Sequence, residues 1–220
     1  MPILEETGWI KEVGEWILET ACRTARAWQE IGLPAVRVWV NISGKQFQEK
    51  DLFEKIEQTL VATGLPAHLL GLELTESVLM QNVEMHIAKL KQLKQLGLLI
   101  SLDDFGTGYS SLSYLKRFPI DEIKIDRSFV DGLLVDENDT AIVRTILAMA
   151  KSLGLRVVAE GVETPQQRDF LTEHRCDEMQ GFLFSKPVPS QSVAALLASA
   201  HHTLPFSTSP QQENVAPTIP

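Results

Sequence analysis

The chain has 220 residues, 44% of them hydrophobic, and a formal net charge of −9. That length and apolar share suit one globular domain with a sizeable core. The acidic balance, with no long run of Lys or Arg, argues against DNA or RNA binding through phosphate neutralisation, so a phosphate-containing substrate would need metal ions for its positive charge.

No apolar stretch approaches the ~20 residues of a membrane span, and the N-terminus lacks the basic-then-apolar pattern of a signal peptide. No membrane segment is expected, and a cytoplasmic location is. Cys22 and Cys176 lie far apart without ligand spacing and read as ordinary buried thiols, so zinc is not expected. The histidines, His68, His86, His174, His201 and His202, form no HExxH pair and read as structural or solvated.

In chain order, Trp9, Ile10, Val13, Trp16, Ile17, Cys22, Ala25 and Trp28 recur at helical spacing between Gly8 and Ile31, and the Trp stripe reads as core. "VRVWVNIS" then reads as a strand with a polar end. A helix near Asp51–Thr63 leads into "LLGLELTES", and a helix over Val83–Leu96 leads into "LLISLDDFG". "IDEIKIDRSF", a helix from about Asp139 to Leu153, "LRVVAEGVE", a shorter helix from Pro165, and "DEMQGFLFSKP" follow. One helix near Ser190–Ser199 closes a domain expected over residues 1–200, and residues 201–220 have the composition of a disordered tail. Six candidate strands separated by helices or long connections predict parallel βα units. No GxGxxG or GxxxxGK[ST] follows a strand, which removes the usual nucleotide fingerprints of open sheets.

Each strand run finishes in a polar residue: Asn41, Glu73, Asp103 with Asp104, Lys124 with Asp126, Glu160, and Gln180. In a (β/α)₈ barrel the C-terminal strand ends converge on the active-site face, so these residues are predicted to share one pocket. Carboxylate and carboxamide oxygens without thiolate or histidine select hard cations such as Mg²⁺, Mn²⁺ or Ca²⁺. Two such metals could clamp a phosphodiester. Cations between them would explain how Asp103 and Asp104 stand side by side, and Gly106 and Gly108 would let the following loop move. Asp104-Phe105-Gly106 spells a kinase motif, but no glycine-rich loop, VAIK-like strand or HRD-like loop accompanies it.

These residues resemble the EAL domain family, bacterial cyclic di-GMP phosphodiesterases with a modified (β/α)₈, TIM-like barrel. The resemblance is carried by "EETGWIKEVGEWIL", "VNISGKQF", "LELTES", "LDDFGTGYSSLSYL", "IKIDRSFV", "AIVRTILAMAKSLGLRVVAEGVET" and "CDEMQGFLFSKPVP". It implies a two-metal Mg²⁺ or Mn²⁺ site on Asn41, Glu73, Asp103, Asp104 and Glu160, with Lys124 orienting the attacking water or steadying the phosphate. Glu160 would be a metal ligand or the general base, and Gln180 would hold a water or ligand. Asp126 and Glu163 would line the substrate or water site. Glu76 would steady the loop Phe105–Leu115, which would couple dimerisation to metal binding.

The reaction implied is hydrolysis of one phosphodiester bond of cyclic di-GMP to linear pGpG, by a homodimer that could carry an upstream sensor or GGDEF-type domain. The family's Glu-Ala-Leu, whose glutamate is a metal ligand, is absent, as are the two strands expected before the first helix. Gly44 stands where Ala or Pro is commoner, and Arg175 where a helix-ending glycine is usual. The chain is therefore expected to be an incomplete barrel of about six βα units, a truncated gene model or fragment whose complete form is longer at its N-terminus. Two other functions compete: an inactive module that binds cyclic di-GMP or a partner protein, and an enolising barrel enzyme, for which only Lys124 could be the base.

Overall fold

The structure, a computed structural model, describes residues 8–108 and 112–200. Residues 201–220, which the sequence reads as a tail, lie outside the described residues. The chain begins with α1 (Ile10–Glu30), β1 (Val38–Asn41), α2 (Gly44–Phe47), α3 (Leu52–Thr63), β2 (Leu70–Thr75), α4 (Glu76–Leu79), α5 (Val83–Gln95) and β3 (Leu99–Phe105). It continues through α6 (Leu112–Leu115), β4 (Glu122–Ile125), α7 (Arg127–Asp131), α8 (Glu137–Leu153), β5 (Arg156–Ala159), α9 (Pro165–Glu173), β6 (Glu178–Met179) and α10 (Ser190–Ala200). The six strands pair in sequence order and all in parallel, so each is joined to the next by a helical crossover, as the alternation of strand and helix signals requires. The result is an incomplete α/β barrel.

The inner strands alternate, apart from an irregularity late in β3. Leu72 and Leu74, Ile100 and Leu102, Ile123 and Ile125, and Val157 and Ala159 belong to the buried apolar core packed with the helices. The intervening residues, Glu73, Ser101, Asp103, Glu122 and Lys124, bond to one another across the concave face of the sheet. Fully buried parallel strands are usually apolar on both faces. Here the inner face is ionic.

Two stacked clusters fill that inner face. At the N-terminal strand ends Arg156 pairs with Glu122 (3.1 Å) and Glu178 (2.8 Å), and Glu122 accepts from the Ser101 hydroxyl at 3.1 Å. Arg37, just ahead of β1, reaches the same Glu178 at 3.9 Å, so the sheet curves until its two edge strands are within an ion pair of each other. The second cluster, around Lys124, is the candidate site.

A repeated Asp-Glu step sets the register at the lower end. Asp121 and Asp177 each stand immediately before a strand, and each accepts a backbone N–H from the strand before it: Ile100 at 2.8 Å and Val157 at 2.9 Å. Lys94 closes on both oxygens of Asp121 at 2.7 Å and also donates to the Leu98 carbonyl. The longer helices have ordinary causes: Asp136 caps α8 through the Asn138 N–H, and Thr164 with Gln167 forms a capping box around Pro165 at the start of α9.

The short helices α2, α4, α6 and α7 are too brief to show periodicity in sequence, although Ser43 and Gln46 form a capping box on α2. Cys176 is only half-buried, against the expectation of two buried thiols, because the turn before β6 leaves it near the surface; burial still pushes both thiols up to about 11, so neither is a ready nucleophile. Replacing Asp121 by Ala leaves the Ile100 amide and the Lys94 ammonium without their partner. A loss of about 1–3 kcal/mol is expected, read as a drop in thermal midpoint against the parent chain.

Candidate active site

Lys124 sits near the C-terminal end of β4 and is almost fully buried, at 5% exposure. Its ammonium donates to Glu73 Oε2 at 3.0 Å, contacts Glu160 Oε1 at 2.6 Å and reaches Asp103 Oδ1 at 3.4 Å. Glu73 comes from β2, Asp103 from β3 and Glu160 from the residue after β5, so one cation gathers the ends of three other strands. Burial works against the ammonium, but the Glu160 hydrogen bond and the charges of Glu73 and Asp103 more than offset it and push Lys124 above the ordinary lysine range.

The paired aspartates are re-aimed by the backbone. Between Leu102 and Phe105 the register of β3 against β4 shifts, and Asp104 adopts a left-handed conformation with φ of 54°. In a regular strand, neighbouring side chains point to opposite faces; a bulge breaks that rule and commonly marks functional sites. Asp103 accepts the Asp104 N–H at 3.1 Å. Burial, then the charges of Asp103 and Asp126, raise the Asp104 carboxyl above the ordinary range, and Lys124 only partly opposes them. Glu160 is likewise raised, chiefly by burial, with Lys124 opposing and Asp103 and Glu73 adding to the shift.

Glu76, at the start of α4 and 2% exposed, accepts the Gly106 N–H at 3.1 Å through one oxygen, and its other oxygen has no hydrogen-bond partner among the described residues. A Cβ on Gly108 would lie 2.5 Å from that oxygen, so glycine lets the backbone close over Glu76. Gln180 lines a cavity of about 360 Å³ together with Trp39, Glu73, Glu122, Lys124 and Phe184. Residues 109–111 of the expected loop lie outside the described residues.

Of the residues expected to meet, the structure brings Glu73, Asp103, Lys124 and Glu160 into direct contact and Asp104 into their field. Asn41 ends β1 opposite Glu73 in register, and it is exposed. Asp126 caps α7 through the Ser128 N–H at 2.9 Å, and Glu163 pairs with Arg127 at 2.9 Å. No three His, Cys, Asp or Glu side chains among the described residues close on one point as a finished metal cage. The donor set nevertheless fits a hard cation: all its donors are oxygens, and one ammonium faces several carboxylates, two of them raised by burial and then by their carboxylate neighbours. Arg127 was not legible as a site residue; its signal is its place three residues after Lys124, matching Glu163 three after Glu160.

A sequence profile of the EAL domain matches residues 1–187. The chain belongs to the EAL domain family. It is 45% identical over 199 residues to the bifunctional diguanylate cyclase/cyclic di-GMP phosphodiesterase MucR of Pseudomonas aeruginosa, covering 90% of this chain and 29% of MucR. It spans less than a third of the length of such curated relatives. The MucR phosphodiesterase in complex with c-di-GMP superposes with a TM-score of 0.85 at 44% identity, covering 87% of this chain and 78% of that one. The BlrP1 calcium/cy-diGMP complex of Klebsiella pneumoniae superposes at 0.69 with 33% identity, covering 79% and 44%.

A raised carboxyl is paid for in the folded state only when ionised, so Asp104 lowers stability at neutral pH and ceases to do so as pH falls through the ordinary carboxylate range, about 4. Asp104→Asn, which also tolerates the left-handed backbone, is expected to raise the thermal midpoint at pH 7 in chelator. The gain should vanish near pH 4; an equal gain at both pH values would contradict the charge account.

Proposed function

We propose that this domain hydrolyses cyclic di-GMP to linear pGpG as a divalent-metal-dependent phosphodiesterase using Mg²⁺ or Mn²⁺. The observation that carries the reading is the Lys124-centred cluster of strand-end carboxylates in a chain of the EAL family. Asn41, Glu73, Asp103, Asp104 and Glu160 would hold the metals, which supply positive charge to the phosphodiester and acidify the attacking water.

The chain's own groups divide the remaining work. Lys124 fixes Glu73, Asp103 and Glu160 relative to one another and carries positive charge next to the phosphate. Glu160, where it acts as the general base rather than as a ligand, takes the proton from the water as it adds to phosphorus and the bond to one ribose oxygen breaks. Gln180, which lines the cavity, orients water or the substrate by hydrogen bond, and Asp126 and Glu163 would add to the substrate or water site. Glu76 holds the backbone at Gly106, and so the start of the loop beyond the aspartates. A homodimer and an upstream sensor or GGDEF-type domain fit the family.

A second reading, an inactive module that binds cyclic di-GMP or a partner, is favoured by one feature: no metal cage is complete among the described residues. Turnover separates the two. With Mg²⁺ or Mn²⁺ and cyclic di-GMP, the chain should yield pGpG on chromatography, and Glu160→Gln should lose about 10²–10⁴-fold in rate. Folded protein that binds cyclic di-GMP without product would favour the binding module.

A further inference from the structure

Two ion pairs join the same two strand-to-helix turns. Inside the barrel Lys124 contacts Glu160 at 2.6 Å; three residues further along each chain segment, Arg127 contacts Glu163 at 2.9 Å. Arg127 is the first residue of α7, and Asp131 on the same helix holds its Nε at 3.1 Å. Its alkyl chain lies against Gly161, the residue after Glu160, which has φ of +73°; a Cβ there would lie 2.4 Å from Arg127 Cγ. The Glu163 N–H donates to Gln167 Oε1 at 2.8 Å, and Gln167 Nε2 donates to the Val130 carbonyl at 2.9 Å, so α7 fixes the same turn a second time.

We propose that Arg127 is a positioning residue for the Glu160–Glu163 turn: its stem packs on Gly161 and its guanidinium anchors Glu163, which together set the direction from which Glu160 meets the attacking water. This rests on the phosphodiesterase reading for its catalytic consequence, but not for its geometry. The pair is half-exposed, with side chains 52% and 38% accessible, and exposed ion pairs add little to global stability. A residue that contributes little to stability and yet sets the path of a catalytic carboxylate should show itself in rate, because small misplacements of a reacting group are costly.

The test compares the parent chain with Arg127→Met, Arg127→Lys, Glu163→Gln and the double variant Arg127→Met/Glu163→Gln, by steady-state kinetics on cyclic di-GMP with Mg²⁺ or Mn²⁺, thermal midpoint, and hydrogen exchange of the amides of 160–163. For Arg127→Met, kcat is expected to fall about tenfold with KM within about twofold and the midpoint nearly unchanged. Arg127→Lys, which keeps charge and stem, should recover most of the rate. The double variant should fall no further than the worse single one, since both act through one contact. Exchange at 160–163 should quicken about tenfold while β2 and β4 hold. If the parent shows no turnover, the function reading fails and the exchange result alone decides this inference. Unchanged exchange, or an active parent matched in kcat by Arg127→Met, overturns it. If Arg127→Met does not fold, Arg127→Gln takes its place in every comparison.

Discussion

The Lys124 ammonium is the interaction on which the rest of the site depends. It is buried among the ends of four strands, where an unpaired charge would cost several kcal/mol, and it is tolerable only because Glu73, Glu160 and Asp103 surround it. Those carboxylates in turn depend on it: without a central cation, strand ends only a few ångströms apart would repel. One lysine is still too little charge for Glu73, Asp103, Asp104, Asp126 and Glu160 together. Burial first, and then the neighbouring carboxylate charges, push Asp104 and Glu160 upward, and the excess of carboxylates leaves room for further cations.

The fold supplies this arrangement by a simple alternation. Each inner strand sends one set of side chains to the helices, where they make an apolar core, and the other set inward. The inward set falls into two contact clusters: Ser101 and Arg156 around Glu122, and Glu73, Asp103 and Glu160 around Lys124. The bulge in β3 is the exception, and it falls on the two aspartates. A regular strand would have sent Asp104 to the helix-facing side; the left-handed turn at that residue keeps both carboxylates within each other's field.

The parallel strands, the five longer helices after the first strand and the polar strand ends were legible because their signals are periodic and local. Glu73 in "LELTE", Asp103 in "LISLDD" and Lys124 in "DEIKID" announce themselves as polar residues closing apolar runs. What was not legible depends on contacts between distant segments. The role of Arg127 requires knowing that Gly161 lies beneath its stem; the ties from Asp121 and Asp177 require knowing which strand each one faces, although the repeated Asp-Glu step hints at them. The short helices carry too few residues for any period to appear. Asn41 has the right register beside Glu73, yet its side chain stays exposed, a distinction that strand pattern alone does not make.

The most direct test of the central claim, that these strand-end carboxylates form a centre short of positive charge and built for hard cations, is calorimetric titration of the chain with Mn²⁺ beside the double variant Asp103→Asn/Asp104→Asn. The account predicts saturable binding to the parent chain and none to the folded double variant. Equal binding by both, or no saturable binding by the folded parent, would contradict it.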